Sequence, residues 1–280
     1  MAKRKPADHV QFAQYGDCVK LFQASTKKYD LIVADPPYNF GMPYEAYDDN
    51  KSYEAYMKWT DQWLGAALSR LAPHGSMFIF VPDEWVTEID YKCTHHYQLY
   101  KRRHILWAFT FGQKAHRNFT RSHCHILYYT KTKTRFTFNE DAVKVPSARQ
   151  LVYNDPRAAK GGKPPDATWM LLKEQLEPYM TPDTDTWLVS RICGTYKERE
   201  KHSPNQIPVP ITARIVRACS NPGDWVCDPF CGTGSSGVAC AGNSRNWDGF
   251  DVGRNCVKQS QRRINEVRKL NGLGKLAALV

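Results

Sequence analysis

Residues 29–38 of the 280-residue chain read Tyr-Asp-Leu-Ile-Val-Ala-Asp-Pro-Pro-Tyr. The apolar run predicts a buried parallel strand over residues 29–34, and it stops at Asp35 because the prolines that follow cannot donate ladder hydrogen bonds. Pro36 and Pro37 fix the backbone, so the Asp35 carboxylate and the Tyr38 ring are held in one place. An ordinary proline turn capped by aspartate is the other interpretation, and this stretch alone does not decide between the two.

Strands and helices alternate on both sides of this stretch. Apolar residues at helical spacing predict a helix over residues 52–71 that ends at Pro73-His74-Gly75, with Trp59 and Trp63 on its core face. Further strands are predicted over 76–81, 105–111, 123–129, 225–228 and 246–252, and further helices over 84–96, 210–220, 234–242 and 255–270. The alternation is typical of an α/β fold, in which a mostly parallel sheet is covered by helices on both faces. Ligands bind such sheets at the carboxyl ends of the strands.

A second motif follows the predicted strand 225–228 and reads Asp228-Pro-Phe-Cys-Gly-Thr-Gly234. Gly232 and Gly234 allow a tight turn and the close approach of a ligand to the backbone. Asp251 ends the next predicted strand, where an acid can accept hydrogen bonds from ribose hydroxyls. The loop lacks a three-glycine dinucleotide pattern and a phosphate-binding lysine, so a nucleoside without phosphates fits better than NAD or ATP. A structural glycine turn is the competing interpretation.

Positive charge is concentrated in one part of the chain. The formal net charge is +11, and no Asp or Glu occurs from Tyr91 to Asn139, where ten Lys and Arg residues alternate with aromatic residues. Such composition is typical of proteins that neutralise phosphates and stack on bases, although a solvated basic face is the alternative. Residues 140–199 are rich in Pro, Gly and polar residues and predict a loop-rich insertion. The candidate nucleic-acid contacts in the two segments are Arg117, Arg121, Arg149, Tyr153, Arg157 and Lys163.

Taken together, the two motifs resemble those of the amino-DNA methyltransferases, in the β-group arrangement where the catalytic motif precedes the cofactor motif. The order and spacing agree over nearly the whole chain. The resemblance implies a Rossmann-like, S-adenosylmethionine-dependent methyltransferase sheet with helices on both faces and a loop-rich target-recognition insertion. It divides the chain into a catalytic half over 1–139, the insertion over 140–199, and a cofactor-binding half over 200–280.

The resemblance also implies roles for individual residues. Asp35 and the Pro36 carbonyl would accept hydrogen bonds from the amino group of a flipped-out base, on which Tyr38 stacks. The implied catalytic residues are Asp35, Pro36, Pro37 and Tyr38, and the implied cofactor-binding residues are Asp17, Asp35, Gln206, Asp228, Phe230, Gly232, Gly234 and Asp251. Gln206 belongs to a segment in which Ile207 replaces the lysine typical of the family.

The implied reaction is a direct in-line transfer of a methyl group from S-adenosylmethionine to a base amino nitrogen, without a covalent enzyme intermediate or a metal. Asp before Pro-Pro-Tyr favours adenine N6 in duplex DNA. DNA cytosine N4, an RNA substrate and a catalytically inactive DNA-binding module stay open as alternatives. Double-stranded DNA is the expected partner, and the resemblance suggests a homodimer and a cognate restriction endonuclease as further partners.

The remaining features predict a cytoplasmic protein with no metal site. No secretory signal and no run of about twenty apolar residues occurs, and the nine cysteines lack regular spacing, which is typical of reduced thiols. The cysteines and histidines at 93, 95, 96, 116 and 123–125 match no paired ligand spacing. Cys231 is interpreted as a packing residue, and Trp107 as either a core residue or part of the wall of a base pocket.

Overall fold

The computed structural model describes residues 9–109, 116–119, 121–151, 153–167, 199–200 and 205–272. A large part of the predicted insertion, residues 168–198, lies outside the described residues, as do residues 110 and 111 at the end of one predicted strand. No helix in these ranges is long and apolar enough to cross a membrane.

Seven strands form one sheet in the order β1-β7-β6-β2-β3-β5-β4. Only β5 runs antiparallel to its neighbours, so the predicted mostly parallel sheet is confirmed. The strands are β1 (Gln11–Tyr15), β2 (Tyr29–Ala34), β3 (Leu71–Val81), β4 (Tyr100–Ala108), β5 (His123–Thr130), β6 (Trp225–Asp228) and β7 (Asn246–Asp251). The helices are α1 (Cys18–Ala24), α2 (Tyr53–Arg70), α3 (Val86–Tyr91), α4 (Ala148–Leu151), α5 (Val209–Cys219), α6 (Ser235–Gly242) and α7 (Arg254–Gly272). A π-helical turn (Lys92–His96) extends α3, and a 3₁₀ turn covers Glu140–Ala142.

Helices cover both faces of the sheet, because the central strands are apolar on both sides. Leu31 and Val33 of β2 belong to a core cluster with residues of α5, α6 and α7. Ile32 and Ala34 face the opposite way and belong to a cluster with residues of α1, α2 and α3. Each fully buried large apolar side chain stabilises the fold by about 1.5–3 kcal/mol. These two clusters therefore fix β2 at the centre of the molecule.

Two predicted boundaries are wrong. Helix α2 matches the predicted range to within one residue at each end, and the Ser52 hydroxyl at its start accepts a hydrogen bond from the Ala55 amide at 3.2 Å. Strand β3, however, begins at Leu71 rather than at residue 76. Leu71 is buried opposite Tyr29 and already belongs to β3, before the pairing register shifts. Strand β4 begins at Tyr100 rather than at residue 105, because its first half is a polar sheet edge that lacks the apolar signal of a buried strand.

The topology brings together segments that are far apart in sequence. Strand β2 lies between β3 and β6, and β7 lies next to β6 on the far side. Because parallel strands end at the same edge of a sheet, Asp35 after β2, Asp228 of β6 and Asp251 of β7 meet there. The sequence halves 1–139 and 200–280 therefore contribute to a single sheet.

Candidate active site

Neighbouring aromatic residues hold the Asp35-Pro36-Pro37-Tyr38 turn by its backbone. The Tyr56 hydroxyl of α2 donates to the Pro37 carbonyl at 2.9 Å, and the indole N–H of Trp85 donates to the Tyr38 carbonyl at 2.7 Å. The Tyr38 hydroxyl donates to Oδ1 of Asp35 at 2.6 Å. The carboxylate and the ring are thus fixed relative to each other at the end of β2.

The buried carboxylate of Asp49 holds the loop that follows the turn through hydrogen bonds to its backbone. Asp49 is 2% exposed and accepts hydrogen bonds from the amides of Asn39, Phe40 and Met42 at 2.8–3.0 Å. Asn39 takes a left-handed backbone conformation, with φ at +60°, which asparagine tolerates better than most residues. Three charge-assisted bonds therefore hold the chain directly after Tyr38.

Two carboxyl groups in the site have strongly shifted acidities. Burial raises the pKa of Asp35 to about 7; the hydrogen bond from Tyr38 lowers it in part, and the charge of Asp228 raises it further. Burial also raises the pKa of Asp228 to about 7, against hydrogen bonds from the Ser236 hydroxyl and the Phe230 amide. Shifts of this kind are typical of functional sites.

A cavity at the carboxyl edge of the sheet brings most of the predicted site residues together. Its lining includes the following predicted residues: Asp17, Asp35, Pro36, Pro37, Tyr38, Phe230, Gly232 and Asp251. A smaller neighbouring cavity is lined by Gln206 and Asp228, and it shares Asp35, Phe230 and Gly232 with the first. Gln206 is buried there and accepts a hydrogen bond from the Glu200 amide at 2.9 Å.

Asp251 organises the glycine loop. Its Oδ2 accepts from the Gly232 amide at 2.9 Å and its Oδ1 from the Gly253 amide at 2.7 Å. A carboxylate has about four lone-pair sites, so both oxygens retain capacity for ribose hydroxyls. Gly234 has φ at +80°, and a Cβ there would collide with Ser260 of α7. Gly234 is therefore required by the backbone turn that leads into α6, whereas Gly232 lines both cavities.

Some lining residues were not predicted. The loop after the turn contributes Tyr44, Glu45 and Tyr47, and no sequence pattern marks them because they lie in an irregular segment. Trp63 is fully buried, as expected for a core residue, but Trp59 is only partly buried and lines the cavity, with its ring 5.6 Å from that of Phe230. The core interpretation of Trp59 was therefore incomplete.

Two further predictions concern Cys231 and Trp107, and the structure shows where each side chain lies. Cys231 is buried, as predicted for a packing residue. Trp107 is a buried core residue of β4, packed against Phe80 and Phe109.

The predicted nucleic-acid contacts fall into two places. Arg149, Arg157 and Lys163 line one surface depression, and Tyr153 of the same segment is 76% exposed. Acids lie beside these cations: Asp155 is 3.3 Å from Arg149 and 2.9 Å from Arg157, and Asp166 is 2.6 Å from Lys163. Elsewhere, Arg117 is exposed, and Arg121 pairs with Asp83 and Glu84 and lies 5.1 Å from the centre of the Phe40 ring.

The acid-free segment from Tyr91 to Asn139 is less cationic in three dimensions than in sequence. Lys92 pairs with Asp61 at 2.8 Å and Lys101 with Asp90 at 2.5 Å, so acids from other segments neutralise part of the charge. Many of its aromatic residues are core residues, whereas Phe119 is 96% exposed. The segment from Tyr91 to Asn139 therefore carries less unneutralised positive charge than its sequence indicated.

Comparison with solved structures defines the class. The fold resembles the PvuII DNA methyltransferase, described as cytosine-N4-specific, with a TM-score of 0.64 and 14% identity over 95% of this chain and 94% of that one. The fold is therefore that of the S-adenosylmethionine-dependent DNA methyltransferases.

Sequence comparison gives the family. The model of the N6/N4 DNA methylases matches residues 29–262. The type II methyltransferase M.HpaI of Haemophilus parainfluenzae is 30% identical over 236 residues, covering 84% of this chain and 68% of that protein. The DNA adenine methyltransferase YhdJ of Escherichia coli (strain K12) is 27% identical over 260 residues, covering 90% and 81%. The chain belongs to the N6/N4 DNA methylase family, whose members use S-adenosylmethionine.

The large cavity fits this cofactor chemically. Its lining contains the acids Asp17, Asp35, Glu45 and Asp251, and neither Lys nor Arg among the described residues. That charge suits a cationic sulfonium nucleoside and opposes a phosphorylated one. The buried hydroxyl of Tyr47 has no hydrogen-bond partner within the described part of the chain, and it lines the same cavity. An unpaired buried hydroxyl is costly, so a polar ligand group there would stabilise it.

Proposed function

We propose that this DNA methyltransferase is site-specific and transfers a methyl group from S-adenosylmethionine to adenine N6 of a base flipped out of duplex DNA. The observation that carries the proposal is the position of Asp35. Asp35 lines both cavities of the proposed cofactor site, and its hydrogen bond to Tyr38 connects it to the ring that is proposed to stack on the base.

Asp35 would make the amino nitrogen a better nucleophile. The lone pair of an aromatic amine is delocalised into the ring, and a carboxylate that accepts an N–H hydrogen bond localises it. A pKa of about 7 means that the accepting, ionised form is well populated at neutral pH. The Pro36 carbonyl is the proposed second acceptor, Pro37 keeps the turn rigid, and the Tyr38 ring is the proposed stacking surface for the base.

The proposed cofactor site uses the glycine loop and the acids around it. Asp251 would accept hydrogen bonds from the ribose hydroxyls, Asp17 would meet the adenine, and Phe230 with Trp59 would supply an apolar wall. Asp228 and Gln206 line the smaller cavity, which suits the polar methionine tail. The bound cofactor supplies the methyl group, and the chain's part is to hold the amino nitrogen in line with it.

Adenine is favoured over cytosine by the Asp in Asp35-Pro36-Pro37-Tyr38 and by the similarity to YhdJ, a DNA adenine methyltransferase. DNA cytosine-N4 methylation is the second candidate, because the fold is shared with a cytosine-N4-specific enzyme. Residues 140–199 are the proposed target-recognition insertion, with Arg149, Tyr153, Arg157 and Lys163 as DNA contacts, and Arg117 and Arg121 as contacts outside it. A homodimer and a cognate endonuclease belong to the same proposal.

The role of Asp35 is tested by measuring transfer of radiolabelled methyl groups to DNA. Asp35→Asn keeps the shape but loses the charge, and we expect methyl transfer to fall by at least about 100-fold while S-adenosylmethionine still binds. Glu266→Gln is the matched control, because Glu266 is exposed in the second half of α7 and lies outside both cavities and the proposed insertion. Turnover of Asp35→Asn equal to that of the control would contradict the assignment.

A further inference from the structure

A cluster of possible metal ligands lies just after the end of β3 and at the start of β5. His123 and His125 are two residues apart on β5, so their side chains share one face, while Cys124 between them faces the other way. Val81 of β3 pairs with His125, and Asp83 follows two residues later, which brings it alongside His123. Asp83 Oδ1 lies 3.1 Å from His123 Nε2 and 2.5 Å from His125 Nε2.

The three side chains form a compact donor set. One ligand atom from each lies within 4.8 Å of the others. Four tetrahedral ligands around Zn²⁺, at about 2.0–2.1 Å from the metal, are about 3.3 Å from one another. The Asp83–His123 distance of 3.1 Å is close to this value, whereas the Asp83–His125 distance of 2.5 Å would have to lengthen when a metal binds. Two imidazoles and one carboxylate form a borderline set that suits a divalent transition metal and leaves a coordination position open.

A further histidine supports this interpretation. His104 of β4 places Nε2 at 2.6 Å from His125 Nδ1. With a metal on Nε2, His125 would carry its proton on Nδ1 and donate it to Nε2 of His104. Without a metal, His125 Nε2 carries a proton and donates it to Asp83. Histidine ligands in metal sites almost always have such a partner for the second ring nitrogen, which fixes tautomer and ring orientation. His125 is only 8% exposed, so its ring is already held in place by packing.

We propose that Asp83, His123 and His125 bind a divalent transition metal such as Zn²⁺, with His104 as the orienting partner of His125. The site is separate from the methyl-transfer chemistry. It would join the end of β3 to the start of β5, whose Cys124 Sγ lies 3.6 Å from the Tyr38 hydroxyl on the other face. The metal would thereby fix a strand that packs against the proposed base site. The spacing of the histidines predicted no metal, because the third ligand lies 40 residues earlier in the sequence.

The competing interpretation is a hydrogen-bonded network without a metal. Arg121 Nε lies 3.4 Å from Asp83 Oδ2, so Asp83 already has cationic and histidine partners. The two interpretations differ in whether the chain binds one metal ion and loses that site when a ligand is replaced.

Titration of the chelator-treated full-length chain with Co²⁺, followed by visible absorbance and by competition with Zn²⁺, separates them. We expect one ion per chain and a higher melting temperature when the ion is present, because a ligand specific for the folded state stabilises it. His123→Gln and Asp83→Asn should weaken binding by more than about 100-fold, and His104→Gln by about 10–100-fold.

His95→Gln is the matched control, since His95 is exposed and outside the cluster. His123 is only partly buried, so its variant should fold, and S-adenosylmethionine binding checks the fold independently of the metal. The proposal is overturned if the wild-type chain binds no Co²⁺ or Zn²⁺ at millimolar concentration. It is equally overturned if His123→Gln and Asp83→Asn bind the metal as tightly as His95→Gln does.

Discussion

The Tyr38 hydroxyl donates a 2.6 Å hydrogen bond to Oδ1 of Asp35, three residues earlier in the same turn. The proposed acceptor for the base amino group is therefore engaged by the side chain that is proposed to stack on the base. Base binding would exchange one donor for another on the same carboxylate. The hydrogen bond also lowers the pKa of Asp35, against the larger effect of burial.

Replacing Tyr38 separates its two proposed roles. Tyr38→Phe keeps the ring but removes the donor, so the pKa of Asp35 should rise and the pH profile of kcat/KM should move to higher pH. Tyr38→Ala also removes stacking, which is worth about 1–3 kcal/mol per base, so kcat/KM should fall by a further factor of about 5–150. If the two variants have the same pH profile as the wild type and equal activity, neither role holds.

The pH dependence of activity follows from Asp35. Its ionised form is the much stronger acceptor for an amino hydrogen, and its pKa is raised to about 7. We expect kcat/KM to increase with pH below about 7 and to level off above it. A rate profile that is flat from pH 5 to 8 would contradict this expectation.

Folding stability should have the opposite dependence on pH. The folded chain holds the Asp35 proton more tightly than the unfolded chain does, so this stabilising contribution is complete below pH 4 and is lost as the pH rises through about 7. Asp35→Asn mimics the neutral acid. The difference in unfolding free energy, Asp35→Asn minus wild type, should be about 1–3 kcal/mol more positive at pH 8 than at pH 5, as measured by urea denaturation. A difference that stays constant over this range would argue against the raised pKa.

Asp251 is expected to act on the cofactor rather than on the base. Asp251→Ala removes the acceptor for the ribose hydroxyls and the partner of the Gly232 amide. Hydrogen bonds to a charged group contribute about 1.5–3 kcal/mol, so calorimetry should give a dissociation constant for S-adenosylmethionine raised about 10–150-fold. The exposed Glu266→Gln variant provides the reference, and equal affinity in the two variants would rule out the ribose role.

Trp85 is expected to position the catalytic turn. Trp85→Phe keeps an aromatic ring but loses the N–H that donates to the Tyr38 carbonyl. One such bond contributes about 1 kcal/mol, so kcat should fall about 5-fold with unchanged cofactor affinity. Trp225→Phe, at the amino end of β6, is the control variant. A loss of cofactor affinity equal to the loss in kcat would indicate general damage to the site instead.

Features that depend on local sequence were predicted well. The strand that ends at Ala34, directly before Asp35, and the strand that ends at Asp228 have the predicted bounds, because both are short apolar runs followed by proline. Features that depend on tertiary partners were not. Asp61 and Asp90 neutralise basic residues of a segment that has no acid of its own, and Trp59 shares a helical face with the buried Trp63 while it also lines a cavity. Edge strands such as β1 have little apolar signal, since they bury only alternate residues.

The central claim is methylation of adenine N6 in DNA. It is tested most directly by incubating the chain with S-adenosylmethionine and double-stranded DNA, hydrolysing the DNA to nucleosides and separating them by liquid chromatography with mass spectrometry. We predict N6-methyldeoxyadenosine as the product, and its loss in Asp35→Asn. The appearance of N4-methyldeoxycytidine without N6-methyldeoxyadenosine would contradict the claim.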